Sequence, residues 1–299
     1  MQMYLFGFLN RDVAYTLPGV AIRPHDQFDF EKELVMQYVH RDGFVYPPLE
    51  KVGKESGELV PNTERPSHLY HLPASHKLQM DSDNPGDRTE ASFIIQIVGY
   101  LHETWLQFDD WWFDSRVPLS KMGLSLSLET SEHFLRHAYQ TWQNWPDSVR
   151  KRFTTTLFMF NRAPSYEWDW EHFVIEYMVF DALYRTAVDL RLITAKDEKG
   201  KQIGHAKRIG HICRGLGLQE NAEHAGYFAK LRNDLLHESL WDSGQPGGAG
   251  SSAAFMTQFH LRHLNQRLVL AILGYKNDFM RSGWWSLGSF TFGIPAAEN

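Results

Sequence analysis

The sequence predicts an α+β protein in which a mixed, loop-rich domain with a small sheet, residues 1–125, precedes an all-α helical bundle, residues 126–299. Three observations predict it. Helix breakers crowd the stretch up to Arg88: Pro18, Pro24, Pro47-Pro48, Pro61, Pro66, Pro73 and Pro85-Gly86. Proline fixes φ and lacks an amide proton, so long helices are disfavoured there. Short β-leaning runs lie between the breakers, and after Ser131 apolar residues recur at helical spacing.

Taken in order, Tyr4–Phe8, Gly19–Ile22 and Gly43–Tyr46 read as short strands. Phe93, Ile94, Ile97, Val98, Leu101, Trp105 and Leu106 share one face of an amphipathic helix over 90–108, followed by an aromatic turn at Trp111-Trp112-Phe113. The junction between the halves falls within 115–130. Ser131, Phe134, Ala138, Trp142 and Trp145 give the next helix, ended by Pro146, and Asp147 reads as the N-cap of a helix that turns Val149, Phe153, Leu157 and Phe158 inward. A long, apolar helix spans 168–194. Helices follow at 204–217, 219–240 and 254–281, with a Gly/Ser-rich connector at 243–252.

Composition narrows the function classes. The 299 residues are 43% hydrophobic and 14% aromatic, ample for a folded core. Cys213 is the single cysteine, which excludes an internal disulfide and any multi-cysteine zinc site. No apolar run reaches the roughly 18 to 20 residues of a membrane span, and the first residues lack the basic flank of a signal peptide, so the expected address is cytoplasmic. Net charge is −6, unevenly spread: residues 1–130 hold 11 Lys/Arg against 19 Asp/Glu, for −8, leaving +2 for the rest. An acidic chain binds nucleic acid weakly unless a local basic groove neutralises phosphate. Arg150-Lys151-Arg152, the lysines of 196–201 and Lys207-Arg208 are candidates for such a groove, and more commonly such runs are solvated helix ends or loops.

The densest chemistry lies at Leu231-Arg232-Asn233-Asp234-Leu235-Leu236-His237-Glu238. On a helix, Asn233 and Asp234 stand one turn before His237, while Arg232 sits five residues back and brings its long side chain to the same ground. Phe228, Leu231 and Leu235 form the apolar stripe that anchors the segment. Imidazole titrates near neutrality and guanidinium stays charged, so His237 suits proton transfer and Arg232 suits stabilisation of a phosphoryl transition state. With 18 arginines and 15 histidines, about one such spacing is expected by chance, so its weight comes from the polar residue after the arginine and from the helical setting.

In that setting the segment resembles the catalytic motif of the HEPN superfamily, helical domains found as RNases in toxin and antiviral systems. The resemblance covers roughly residues 131–282 and is clearest at 171–190 and 227–240. It implies a metal-independent endoribonuclease, with no cofactor, that cleaves RNA by attack of the 2′-OH to leave a 2′,3′-cyclic phosphate. Arg232 and His237 would be catalytic, Asn233 would orient phosphate or imidazole, and Asp234 would orient the imidazole or pair with Lys230. Glu176, on the long helix, would support Arg232 or His237. One histidine for two proton transfers implies a homodimer with a composite cleft. A non-catalytic first half ahead of such a domain resembles Apea-like defence proteins. It implies an antiphage or toxin-like role, with RNA as substrate, a regulatory or sensor domain at 1–125, and a phage-derived trigger, antitoxin or sensor as partner. The alternative is a helical domain without nuclease activity that binds RNA, nucleotide or protein.

Other constellations are weaker. Asp181 and Arg185 have ion-pair spacing within the apolar helix. His68, His71 and His76 with Asp81 and Asp83 invite a metal, but they read as solvated loop residues without a known ligand signature. His133 and His137 have the spacing of a helical zinc pair, yet Phe134 stands where a metalloprotease needs glutamate. No phosphate loop, nucleophile elbow or paired-cysteine motif occurs. The tryptophans of 111–112, 168–170 and 284–285 read as base-stacking platforms or, more commonly, as core.

Overall fold

The computed structural model describes all residues except 49, 53–55, 62–68, 82–87, 120–122, 126, 247–251, 287, 289 and 297–299. His68, Asp83 and much of the 243–252 connector fall outside the described residues. The chain combines helices with a small antiparallel sheet and divides into two compact units, Met1–Leu124 and Ser125–Asn299.

The first unit is organised by a five-stranded antiparallel sheet. Its strands are β1 (Gln2–Gly7), β2 (Tyr15–Leu17), β3 (Val20–Pro24), β7 (His76–Met80) and β8 (Gln107–Phe108), in the order β2-β3-β7-β1-β8. Strand β7 is central, pairing Met80 with Gln2 of β1 and with Val20 of β3. It buries His76, Leu78 and Met80 while Lys77 and Gln79 stay partly exposed, the period-2 alternation of a strand. Strand β7 is not legible in the sequence because His-Lys-Leu-Gln-Met carries a single aliphatic residue. Two small ladders accompany the sheet, β4 (Phe44–Val45) with β9 (Val117–Pro118), and β5 (Glu50–Val52) with β6 (Leu59–Pro61). Helix α1 (Phe28–Met36) was also unforeseen; it is short and buries only Phe28 and Val35.

Helix α2 covers Thr89–His102, not 90–108. Every residue from Phe93 to His102 is buried, so it is a core helix rather than an amphipathic one. It stops because Glu103 turns left-handed at φ 52°. Gly123 also packs against its last turn, where a Cβ would stand 2.8 Å from the Leu101 carbonyl oxygen. Trp105 and Leu106 are buried beyond the helix end.

The second unit is helical: α3 (Leu128–Gln143), α4 (Asp147–Arg162), a 3-10 turn at Ala163–Ser165, α5 (Asp169–Asp189), α6 (His205–Leu216), α7 (Ala222–Glu238), α8 (Ser252–Ile272) and α9 (Asp278–Arg281). Ser127 caps α3 by accepting from the Thr130 amide. Asp147 is the first residue of α4 rather than its cap, and pairs with Arg150 and Lys151 one turn on. The predicted helix 254–281 is two helices, broken at Gly274 (φ 73°), with Asn277 capping α9.

Helix α5 is the axis of this unit and packs on α4 and α8. Glu176 is fully buried on it. Arg262 Nη1 donates to its Oε1 at 2.9 Å, Asn265 Nδ2 donates to Oε2 at 2.7 Å, and His172 Nε2 lies 3.4 Å from Oε1. Burial pushes this carboxyl upward, but the Arg262 charge and the His172 and Asn265 contacts outweigh it and hold Glu176 below its ordinary value. A buried ion pair adds little net stability, yet removing one partner strands the other. Arg267, also buried, is satisfied by the carbonyl and hydroxyl of Ser282. Among the described residues no helix is long and apolar enough to cross a membrane.

Candidate active site

The segment with the densest chemistry forms the second half of α7. Asn221 starts the helix, its Oδ1 accepting from the His224 amide at 3.0 Å. At the other end Ser239 adopts φ 57°, and the Leu240 amide folds back on the Asp234 carbonyl at 3.1 Å, a left-handed cap that sets His237 in the last turn. Phe228 and Leu231 are wholly buried and pin the opposite face, with Phe228 against Phe173 of α5 and against Trp284. Leu235 is only partly buried, so the apolar stripe is narrower than the sequence analysis expected.

Arg232, Asn233 and His237 come together on the outer face. Arg232 Nη1 donates to Asn233 Oδ1 at 3.0 Å and lies 3.2 Å from His237 Nε2. A guanidinium only donates, so His237 accepts at Nε2 and carries its proton on Nδ1. Asn233 and His237 are exposed, whereas Arg232 is half-buried with an Nε–H that meets no protein acceptor among the described residues. Asp234 faces Lys230, with Nζ and Oδ2 2.7 Å apart, and takes the structural option of the two expected for it. The hydrogen bond and charge of that carboxylate raise the Lys230 ammonium above its ordinary value. Glu176, expected as a support for Arg232 or His237, is instead engaged by Arg262, Asn265 and His172, because a carboxylate facing the α5–α8 interface is met by the cation on α8.

A second group of polar residues gathers between α5 and α6, its members too far apart in sequence for spacing to assemble them. Asp181 of α5 does not pair with Arg185, which turns to Asp189. It accepts from Arg208 Nη1 of α6 at 2.8 Å and lies 3.6 Å from His205 Nδ1. Arg208 Nη1 is also 3.2 Å from His205 Nδ1. Since the guanidinium donates, His205 accepts at Nδ1 and presents its proton on Nε2. The Tyr177 ring lies 6.5 Å from the His205 ring, and the Arg208 guanidinium covers Tyr184 at 5.2 Å. Tyr177, Asp181 and Tyr184 are spaced four and three apart on α5; they face His205, Arg208 and His211, spaced three apart on α6.

Electrostatics joins this group to α7, on which α6 packs. Burial lowers the affinity of His205 for a proton; Asp181 opposes this, while Arg208 and Arg232 reinforce it, and the balance holds the ring below its ordinary value. Burial raises the Tyr177 hydroxyl to about 12, with Asp181 adding to the rise and Arg232 and Arg208 opposing it. The hydroxyls of Tyr177 and Tyr184 have no hydrogen-bond partner among the described residues. The signal available in sequence was Asp181 itself: a carboxylate inside an apolar run needs a cation, and the nearest one on its own helix was not its partner.

The other sequence candidates have structural roles. His76 is not a solvated loop residue: it is a buried residue of β7, its Nδ1 3.0 Å from Ser75 Oγ, and burial lowers it to about 4. The His71 ring lies tilted against Trp112, 3.8 Å between ring centroids. No group of three or more His, Cys, Asp or Glu among the described residues is arranged to hold a metal ion. His133 and His137 bond the Tyr275 hydroxyl and the Leu273 carbonyl, tying α3 to the chain beyond α8. Trp284 is buried, whereas Trp111, Trp112 and Trp168 are exposed. Compared with known protein families, with curated proteins and with solved structures, the chain matches none.

Proposed function

We propose that this protein is a metal-independent endoribonuclease of the HEPN type, with its site on α7 of the helical second unit and the first unit in a regulatory or sensor role. The observation that carries the proposal is the contact between Arg232 Nη1 and His237 Nε2, with Asn233 on the same guanidinium, at an open helix end. An arginine able to bind a phosphate and an imidazole whose Nε2 lone pair is released when the arginine does so are the two functions that RNA transesterification demands. Binding of a phosphodiester would draw Arg232 onto the non-bridging oxygens and free the Nε2 lone pair of His237. That nitrogen then takes the 2′-OH proton, O2′ bonds to phosphorus, and the bond to O5′ breaks.

Return of a proton to O5′ needs a second group, and a homodimer that brings two His237 side chains to one cleft supplies it. By analogy with the resemblance alone, we infer a setting in prokaryotic antiphage defence or a toxin-like system, with a trigger, antitoxin or sensor as partner. The test is incubation of the purified protein with labelled single-stranded RNA and the matching DNA in EDTA. RNA alone should be cut, because DNA lacks the attacking hydroxyl. Cleavage of both strands, or loss of RNA cleavage in EDTA, overturns the mechanism.

The same contact favours one competing reading, a binding module without nuclease activity, since the His237 lone pair is occupied by Arg232. Such a protein would retain RNA and leave it intact.

A further inference from the structure

We propose that α5, α6 and α7 of one chain form a phosphoryl cradle in which the His205 Nε2–H and the Tyr177 hydroxyl join Arg232 in donating to the oxygens of a phosphodiester. The inference deepens the ribonuclease reading and rests on it for the identity of the substrate.

Four observations converge. First, Tyr177 is only 4% exposed, yet its hydroxyl finds no partner among the described residues. An orphaned buried hydroxyl costs free energy unless something else satisfies it. Second, the Nε–H of Arg232 is likewise buried and unpartnered. Third, His205 accepts from Arg208 at Nδ1, which leaves Nε2 as a donor with no protein acceptor among the described residues. Fourth, His205 is the first residue of α6, a 12-residue helix that Gly204 starts without a side-chain cap and whose first turn carries no acidic residue. The positive end of the helix dipole favours an anion there, although the Lys207 amide is already bonded to the Gly204 carbonyl at 2.9 Å. Tyr177 lies against this end through its ring contact with His205.

The ligand class follows from the donors. Each can donate, Arg232 and His205 through N–H and Tyr177 through O–H, and they are of the kinds that recognise phosphate. The groups around His205 are Tyr177 and Asp181 from α5 and Arg208 from α6, and α7, which packs on α6, carries Arg232. Arg208 and Asp181 neutralise each other, so the net charge offered to the ligand comes chiefly from Arg232. One positive charge beside neutral donors suits a singly charged diester.

The test uses the intact protein and a 2′-deoxy dinucleotide monophosphate, which carries the diester without the attacking hydroxyl. Ring protons of His205 and His237, assigned by His205→Gln and His237→Gln, are titrated by NMR with and without it. Binding of an anion must raise the titration midpoint of any imidazole beside it, so both midpoints should move up. Movement at His237 alone overturns the cradle and leaves the nuclease site standing. Movement at neither overturns both. Tyr177→Phe is the second arm: it removes a hydroxyl that has no partner among the described residues, so folding stability should hold or rise. Affinity for the dinucleotide should fall about 10- to 100-fold, the range for a hydrogen bond to a charged group. Unchanged affinity in Tyr177→Phe, or loss of affinity that tracks loss of folded protein, contradicts the proposal.

Discussion

Arg232 Nη1 lies 3.2 Å from Nε2 of His237, about one and a half turns further along the same helix. The contact requires both the long side chain of arginine and the left-handed stop at Ser239, which keeps His237 in the last turn. Arg232→Lys preserves charge but not the planar fork that reaches Asn233 and His237 together. RNA cleavage by this variant should fall on the order of 10²-fold, close to the loss in Arg232→Ala. Initial rates on a labelled oligonucleotide at matched folded concentration check this, and full activity with lysine would show that charge alone suffices.

Asn221→Ala removes the α7 cap and should destabilise the second unit by about 1 kcal/mol. It touches neither Arg232 nor His237, so activity per folded molecule should persist. Denaturant unfolding monitored by tryptophan fluorescence gives the first number and a rate assay gives the second. A large loss of rate with intact stability would mean that the start of α7 also contacts substrate.

The Glu176–Arg262 pair predicts a different outcome for each substitution. Arg262→Met strands a carboxylate that is fully buried and should cost about 3–5 kcal/mol. Because the folded state holds Glu176 below its ordinary value, the pair stabilises the protein above the ordinary carboxylate range. That contribution disappears as pH falls through the depressed value. Glu176→Gln should flatten this acid limb in thermal melts taken across the acid range. An unchanged pH dependence would place the acid sensitivity elsewhere.

Two buried histidines give the first unit its own pH response. Burial lowers His76 to about 4 and His102 to about 3, the latter with Tyr15 Oη 2.8 Å from its Nε2. Unfolded histidine binds a proton near pH 6.5, so below that value the unfolded chain takes up protons that the folded unit refuses, and stability falls with pH. Each such proton costs about 1.4 kcal/mol per pH unit until the folded group itself titrates. Replacing His102 with Gln should remove one proton's share of that slope between about pH 6 and 4, read by hydrogen exchange of the β1–β7 amides. A slope equal to wild type would contradict the assignment.

Much of the helical unit was legible because its signals are local. The stripes that bury Phe134, Ala138 and Trp142 on α3, and Val149, Phe153 and Leu157 on α4, repeat every three to four residues, and Pro146 separates them. Features that depend on remote partners were not legible. His76 reads as a polar loop residue until β1 and β3 flank it. Trp105 continues a helical pattern that the chain abandons at Glu103.

At the site, Arg232, Asn233 and His237 could be read from one helix, since their spacing alone sets their meeting. The partners of Asp181 and Glu176 could not. Each lay on another helix, 27 residues on in Arg208 and 86 residues on in Arg262, and the choice between cations on the same and on different helices is made by packing.

The measurement that bears most directly on the central claim is the chemistry of the cut ends, compared between wild type and His237→Ala on the same single-stranded RNA in EDTA. The account predicts 2′,3′-cyclic phosphate and 5′-hydroxyl ends from wild type, with the rate reduced on the order of 10²- to 10⁴-fold in the variant. Ends bearing a 5′-phosphate, or an undiminished rate in a folded His237→Ala protein, would contradict it.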